Sequence, residues 1–168
     1  GGGYIGLEFA CFVREAGCEV TVYEMLPRIA AGCDADIASR LLELLSRAGV
    51  RFHLSATVER IDGNTVHFRD GAGAAHSATA ERILNAAGRV PVVDGLGLEE
   101  AGVDFSPRGI RTSDRGQTNV PGIWACGDVT GRRMLAHAAA REGIVAVNNM
   151  FGKKDRIRYD AIPSVIYT

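Results

Sequence analysis

The sequence predicts an α/β fold, and three observations carry that reading. Between Gly1 and Leu54, apolar residues recur at helical spacing, then in β-branched alternation, then at helical spacing again. Short period-two segments broken by Asp-Gly and Asn turns follow, the pattern of an antiparallel β-meander. Beyond Gly88 a loop-rich stretch leads into one long helical pattern, Met134 to Phe151. The chain has 168 residues, enough for one or two domains. Hydrophobic residues at 46% and charged residues at 23% suit a chain that buries a core rather than a disordered one. A net charge of −1 lacks the basic excess of a nucleic-acid surface. No apolar run reaches the roughly 18 residues of a membrane span, and no secretory leader is visible, so a cytoplasmic location without a membrane partner is expected.

The elements follow in order. Ile5, Phe9, Phe12, Val13 and Ala16 make the apolar face of a first helix, which Gly17 stops. Glu19 to Glu24 is a short β-branched strand, and residues 25–33, with Pro27 and Gly32, are a loop. Asp34 is placed to N-cap a second helix with apolar face Ile37, Leu41, Leu44, Leu45 and Ala48, ended by Gly49. Val50, Phe52 and Leu54 alternate with polar residues. Val58 with Ile61, and Val66 with Phe68, flank Asp62-Gly63-Asn64, a hairpin signal, and Asp70-Gly71 marks another turn. Arg82 to Ala86 predicts an apolar strand ending at Gly88, by which the chain returns to the first sheet. Residues 89–109 read as loop with a short helix near Leu98–Ala101. Strands are expected at Ile110–Thr112 and Ile123–Cys126, parted by Pro121-Gly122. The long helix from Met134 counts Leu135, Ala138, Ala139, Val145 and Met150 among its apolar positions, and a last strand spans Ile162 to Tyr167.

Glycine is the compositional outlier, 21 of 168 residues, against an average near 7%. The densest cluster is Gly1-x-Gly3-x-x-Gly6, which opens the first helix and fits a dinucleotide fingerprint. Such a turn brings backbone N–H groups against a pyrophosphate at the positive end of a helix. Glu24, at the end of the next strand, stands close to the spacing expected of a ribose-binding acid. A carboxylate there accepts from ribose hydroxyls and repels a 2′-phosphate, which argues for NAD(H) over NADP(H). The fingerprint normally follows a strand, and none precedes Gly1, so the chain is expected to be a piece of a longer enzyme that lacks the first strand of its Rossmann-like sheet.

The second motif is Thr118-Asn-Val-Pro-Gly-Ile-Trp-Ala-Cys-Gly127-Asp128, where an apolar strand presents a carboxylate at its carboxyl end. Met134-Leu-Ala-His137 then opens a helix whose free N–H groups could face an electron-rich ligand atom. The four cysteines, Cys11, Cys18, Cys33 and Cys126, form no close pair and read as buried cytosolic thiols. His53, His67, His76 and His137 are scattered, and no metal site is expected.

Taken together, G-G-G-Y-I-G-L-E, V-Y-E-M, N-A-A-G-R-V-P, T-N-V-P-G-I-W-A-C-G-D-V, M-L-A-H-A-A-A-R-E-G and I-P-S-V-I-Y-T resemble the pyridine nucleotide-disulfide oxidoreductase family. These segments run through essentially the whole chain, and within the family they are most similar to the members that oxidise dihydrolipoamide. The resemblance implies two cofactors, FAD and NAD. It implies an NAD-binding domain over residues 1–86, the C-terminal part of an FAD-binding domain over 87–158, and the start of a dimerisation domain over 159–168. Gly1, Gly2, Gly3, Tyr4, Ile5, Gly6, Leu7 and Glu8 would wrap the NAD pyrophosphate, Glu24 would take the adenosine ribose, and Val58 and Gly88 would line the cleft. Asp128 would bind the FAD ribityl chain, and Met134, Leu135, Ala136 and His137 would set helix N–H groups against the flavin ring.

By the same resemblance Glu8 supports the flavin site through a lysine elsewhere. Tyr4 departs from the aliphatic residue frequent in the members that oxidise dihydrolipoamide. It matches an aromatic that, in related disulfide reductases, covers the flavin until nicotinamide arrives, so it is either such a gate or a packing residue of the cleft wall. His137 contributes its backbone N–H rather than acting as a base. Arg28, Arg132 and Arg133 are solvated or domain-edge charges. Neither the family's redox cysteine pair, spaced five apart, nor its acid–base histidine falls within these residues, so the piece alone should not turn over substrate. The implied parent passes electrons from dihydrolipoamide through that cysteine pair and FAD to NAD. It would be a homodimer and a component of a 2-oxoacid dehydrogenase or glycine cleavage complex. The alternatives are another NADH-dependent flavin oxidoreductase, such as an NADH oxidase or disulfide reductase, and a non-catalytic NAD(H)-binding module.

Overall fold

The computed structural model describes residues 1–168. They form two compact units, Gly1–Gly88 with Val165–Thr168, and Arg89–Ser164. In the first, helix α1 (Tyr4–Glu15) leaves an extended Gly3 and ends before Gly17, whose φ of +91° suits a residue without Cβ. Strand β1 (Val20–Tyr23) is joined through helix α2 (Ala35–Arg47) to strand β2 (Val50–His53). The two strands pair in parallel, Val20 opposite Val50 and Tyr23 opposite His53. Their core is Leu7, Ala10, Val22, Ile29, Ala38, Leu45 and Val50.

Helix α1 buries a different face from the one the spacing predicts, and α2 buries part of the expected face. In α1 the buried residues are Gly6, Leu7 and Ala10, while Ile5 and Phe9 are exposed and Phe12 is 68% exposed. Two helically spaced sets exist on this short helix. The small set wins because glycine and alanine let the helix axis approach the turn and sheet closely, which phenylalanine would prevent. In α2 the expected Leu41 and Leu45 do face the core, joined by Ala38 and Leu42, whereas Ile37, Leu44 and Ala48 face outward. Asp34 is the N-cap by position, its carbonyl taking the Ala38 N–H, but its side chain makes no capping bond.

Strands β3 (Thr57–Asp62), β4 (Thr65–Arg69) and β5 (Ala75–Thr79) form the antiparallel meander in that order. Val58 and Ile61 are three apart, a spacing that ordinarily puts two strand residues on opposite faces. A register shift between Val58 and Arg60 restores them to one face, Val58 opposite Phe68 and Ile61 opposite Val66. Phe68 packs its ring against Tyr23 and His76, at centroid distances of 4.7 and 5.3 Å, and so ties the meander to the parallel pair.

Arg82 to Ala86 forms no strand and belongs to no sheet. It has no laddered neighbour to satisfy its backbone, and it lies instead along the glycine turn at Gly1. The last segment, Ile162 to Tyr167, likewise forms no strand. It is anchored by Ile166 on the first core and by the Tyr167 N–H, which donates to Glu8 Oε1 at 2.9 Å.

In the second unit, β6 (Phe105–Ser106) and β7 (Gly109–Ile110) make a small hairpin, so the strand expected at Ile110–Thr112 starts and stops earlier. Leu98–Ala101 is a single turn, closed by a Val103 N–H bond to the Leu98 carbonyl, rather than a helix. Ile123–Cys126 keeps only one bridge, Gln117 to Trp124, because Pro121-Gly122 turns the chain too tightly for a longer ladder. Helix α3 (Ala136–Met150) begins two residues later than predicted and buries Ala138, Glu142, Val145 and Ala146, leaving Met150 exposed. Cys11 and Cys33 are half-buried, but Cys18 and Cys126 are exposed, because they sit beyond the end of α1 and at a turn rather than on packed faces.

Candidate functional site

The first candidate site is the turn that opens α1. Its first intrahelical bond runs from the Leu7 N–H to the Gly3 carbonyl at 3.0 Å, and no side chain caps the helix. The N–H groups of Tyr4, Ile5 and Gly6 are therefore free at the positive helix end. Two of the three fingerprint glycines are required by the protein's own packing. A Cβ on Gly6 would lie 1.9 Å from the Gly1 carbonyl oxygen, and one on Gly1 would lie 2.2 Å from the Ala86 oxygen. Gly3 differs: a Cβ there would meet nothing within 4 Å. The open space lies in front of the uncapped helix end, and it is room that a pyrophosphate could use.

Glu24 closes this turn from the end of β1. Its Oε2 accepts the Gly2 N–H at 2.6 Å and its Oε1 accepts the Leu26 N–H at 2.8 Å. The carboxylate is half-buried, so its remaining lone pairs stay reachable from solvent. Ala30, within the segment expected to be loop, completes the cradle. It donates its N–H to the Gly2 carbonyl at 2.8 Å and holds a φ of +46°. Alanine takes that conformation only where its surroundings impose it, so no residue-type signal could have revealed it. Arg28, expected as free charge, braces the same loop by donating to the Ala31 and Cys33 carbonyls.

The other first-unit candidates sit as follows. The Tyr4 hydroxyl lies 3.8 Å from Cys33 Sγ, so the ring rests on the Gly32–Cys33 loop. Ile5 is exposed, Leu7 is fully buried in the core, and Glu8 is engaged with Tyr167. Val58 is an exposed residue of β3, and Gly88, with φ +119°, ends the unit.

The second candidate site lies in the other unit. Gly127 adopts φ +80° and leads into a 3₁₀ turn, Asp128–Thr130. The Asp128 carboxylate is 43% exposed and is paired only with the exposed Arg89 guanidinium, at 3.2 Å. Such a pair holds weakly and is readily exchanged. Met134 and Leu135 form an extended lead-in rather than helix, because Leu135 takes a β conformation. The first α3 bond runs from the Ala139 N–H to the Leu135 carbonyl, which leaves the N–H groups of Ala136, His137 and Ala138 free at an uncapped end. His137 Nε2 lies 2.9 Å from the Pro163 carbonyl, a structural bond that does not leave the ring free to act as a base.

The sequence profile described as pyridine nucleotide-disulphide oxidoreductase matches residues 1–143. The chain belongs to that family. It is 42% identical over 170 residues to the dihydrolipoyl dehydrogenase of Bacillus subtilis, covering all of this chain and 37% of that protein. It is similar in structure to LpdA from Mycobacterium tuberculosis, with a TM-score of 0.86 and 29% identity over 99% of this chain and 37% of that one. A third likeness is to RclA from Escherichia coli, an HOCl-induced flavoprotein disulfide reductase, with a TM-score of 0.80 and 30% identity over 98% of this chain and 38% of that one. This family member thus spans about 37% of the length of its dihydrolipoyl dehydrogenase relative, an oxidoreductase.

Proposed function

We propose that the chain supplies the NAD(H)-binding part, and a share of the FAD-binding part, of a dihydrolipoyl dehydrogenase. The observation that carries the reading is the cradle at Gly3: an uncapped helix end, open space before it, and Glu24 fastened to the same turn. In this reading residues 1–86 are a Rossmann-like NAD-binding domain, 87–158 the C-terminal part of an FAD-binding domain, and 159–168 the start of the dimerisation domain. The parent is a cytoplasmic homodimer that serves a 2-oxoacid dehydrogenase or glycine cleavage complex.

When bound, NAD and FAD supply the hydride acceptor and the flavin that draws electrons from a dithiol. The chain's own residues bind and orient them. The free N–H groups of Tyr4, Ile5 and Gly6 offer donors to a pyrophosphate, and Gly3 keeps its path clear. Glu24, already held by two backbone N–H groups, keeps lone pairs for ribose hydroxyls at no further cost in side-chain ordering. Its charge repels a 2′-phosphate. Val58 and Gly88 belong to the walls of the nicotinamide cleft, and Tyr4 is its gate. Asp128 accepts from the ribityl hydroxyls, and the free N–H groups of Ala136 and His137 favour negative charge on a flavin ring. Glu8 supports the flavin site.

The test is nucleotide binding to the full-length flavoprotein. NADH is expected to bind more tightly than NADPH, and Glu24→Ala is expected to narrow the gap. Equal affinity in the native protein would overturn the role of Glu24. Tyr4→Ala should speed nicotinamide access to the flavin, and an unchanged flavin reduction rate would remove the gate. A second reading, an NADH-dependent disulfide reductase, is favoured by the likeness to RclA. Turnover of another disulfide in preference to lipoamide would select it.

A further inference from the structure

Glu142 lies in the middle of α3 on a face otherwise made of Ala138, Val145 and Ala146, and it is 1% exposed. A carboxylate so placed stays only if its oxygens are bound. Its Oε2 accepts the Gly127 N–H at 2.5 Å, and its Oε1 accepts the Tyr159 hydroxyl at 3.0 Å. Burial, reinforced by Glu142, holds the Tyr159 phenol above its ordinary value of 10.0, so the hydroxyl remains a donor. The Arg132 guanidinium lies 4.9 Å over the Tyr159 ring and also donates to the Thr112 carbonyl, which fixes the ring from its outer side.

The residue this network grips is Gly127. Its φ of +80° and ψ of −159° form a conformation rare for residues with a side chain. Its carbonyl is held as well, by the Thr130 N–H at 3.0 Å and the Thr130 hydroxyl at 2.9 Å. With both polar groups of Gly127 fastened, the direction in which the next residue, Asp128, leaves the turn is set. Arg89 touches Asp128 only at its exposed end and imposes little by comparison.

We infer that Glu142, acting with Tyr159, is a positioning residue: it sets the Gly127–Asp128 turn and thereby aims the Asp128 carboxylate for FAD. This rests on the reading of Asp128 as an FAD ligand. Glu142 does not itself meet the cofactor. A carboxylate suits the task because two donors, Gly127 and Tyr159, converge on it, and an apolar residue of the same size would leave both unpaired.

The experiment is FAD titration of the apo form of the full-length protein, followed by flavin fluorescence and by the shape of the visible flavin band. Asp128→Asn is expected to weaken FAD by about tenfold or more, as the loss of hydrogen bonds to a charged group would. Glu142→Ala should weaken it to a similar degree and alter the flavin band in the same sense. Glu142→Gln, which keeps one acceptor, should fall between, and Tyr159→Phe should cost about threefold. The double variant Asp128→Asn with Glu142→Gln should bind no more than about twofold more weakly than Asp128→Asn alone, because the second change acts through the first residue. Independent, multiplying losses would make Glu142 merely structural and overturn the proposal. So would native FAD affinity in Glu142→Gln and Tyr159→Phe while Asp128→Asn is weakened. Native affinity in Asp128→Asn would overturn the reading of Asp128 itself, which the Glu142 variants alone would not.

Discussion

The turn before α1 and the turn before the 3₁₀ segment at Asp128 use one device at two depths. In each, a glutamate from another element accepts the N–H of a turn glycine: Glu24 takes Gly2 at 2.6 Å, and Glu142 takes Gly127 at 2.5 Å. They differ in where the second oxygen goes. Glu24 gives it to the Leu26 N–H and stays half-buried, whereas Glu142 gives it to Tyr159 and is sealed from solvent. The half-buried carboxylate can hold its turn and still meet a ligand. The sealed one can only hold. Similar first contacts on two turns thus leave one carboxylate open to solvent and seal the other, with burial as the deciding variable.

The comparison breaks first at its most buried member. Glu142→Ala removes two bonds to a buried carboxylate and leaves the half-buried Gly127 N–H and Tyr159 hydroxyl without them, so a loss of about 3 kcal/mol is expected in urea unfolding of the full-length protein. Glu24→Ala should cost about 1 kcal/mol, because the Leu26 N–H is exposed and water takes the place of the carboxylate there, although Gly2 is buried. Equal losses would erase the contrast.

Next come the glycines. Gly6→Ala places a Cβ 1.9 Å from the Gly1 oxygen, and backbone cannot yield as a side chain does. A loss of about 2 kcal/mol or more is expected. Gly3→Ala, which meets no protein atom within 4 Å, should leave stability within about 1 kcal/mol of native and yet weaken NADH by about tenfold. An unfolded Gly3→Ala, or one with native NADH affinity, would show that this space is not kept for a ligand.

The smallest effect is a pH slope. Burial raises the phenols of Tyr159 and Tyr23 above 10.0. Between the unfolded and folded values the native state binds more protons, so their contribution is complete below about pH 10 and declines as pH rises beyond it. Tyr159→Phe should flatten part of the alkaline loss in unfolding midpoints, and an unchanged slope would locate the loss elsewhere.

Much of the fold was legible in the sequence. Gly17 and Gly49 stop their helices, Asp62-Gly63-Asn64 turns its hairpin, and the glycine cluster and Glu24 are joined in one turn, the first candidate site. What was misread has a common cause. The inward faces of α1 and α2 depend on how closely each helix can approach its neighbours, a property of pairs that periodicity along one segment does not contain. Arg82–Ala86, Ile123–Cys126 and Ile162–Tyr167 have strand-like composition, but a strand exists only where another backbone supplies its ladder. Ala30 and Glu142 carried no signal, since neither alanine in a loop nor glutamate in a helix is unusual.

The sequence by itself determined the alternation of helices and strands, the stops, and the family. These are local or motif-borne, set by side-chain periodicity and by residues that only glycine or a carboxylate can replace. Only the tertiary structure decided which glycine has open space beside it, which face each helix buries, and which of two glutamates stays within reach of solvent. Those are questions of what lies beside a residue, and its neighbours come from distant parts of the chain.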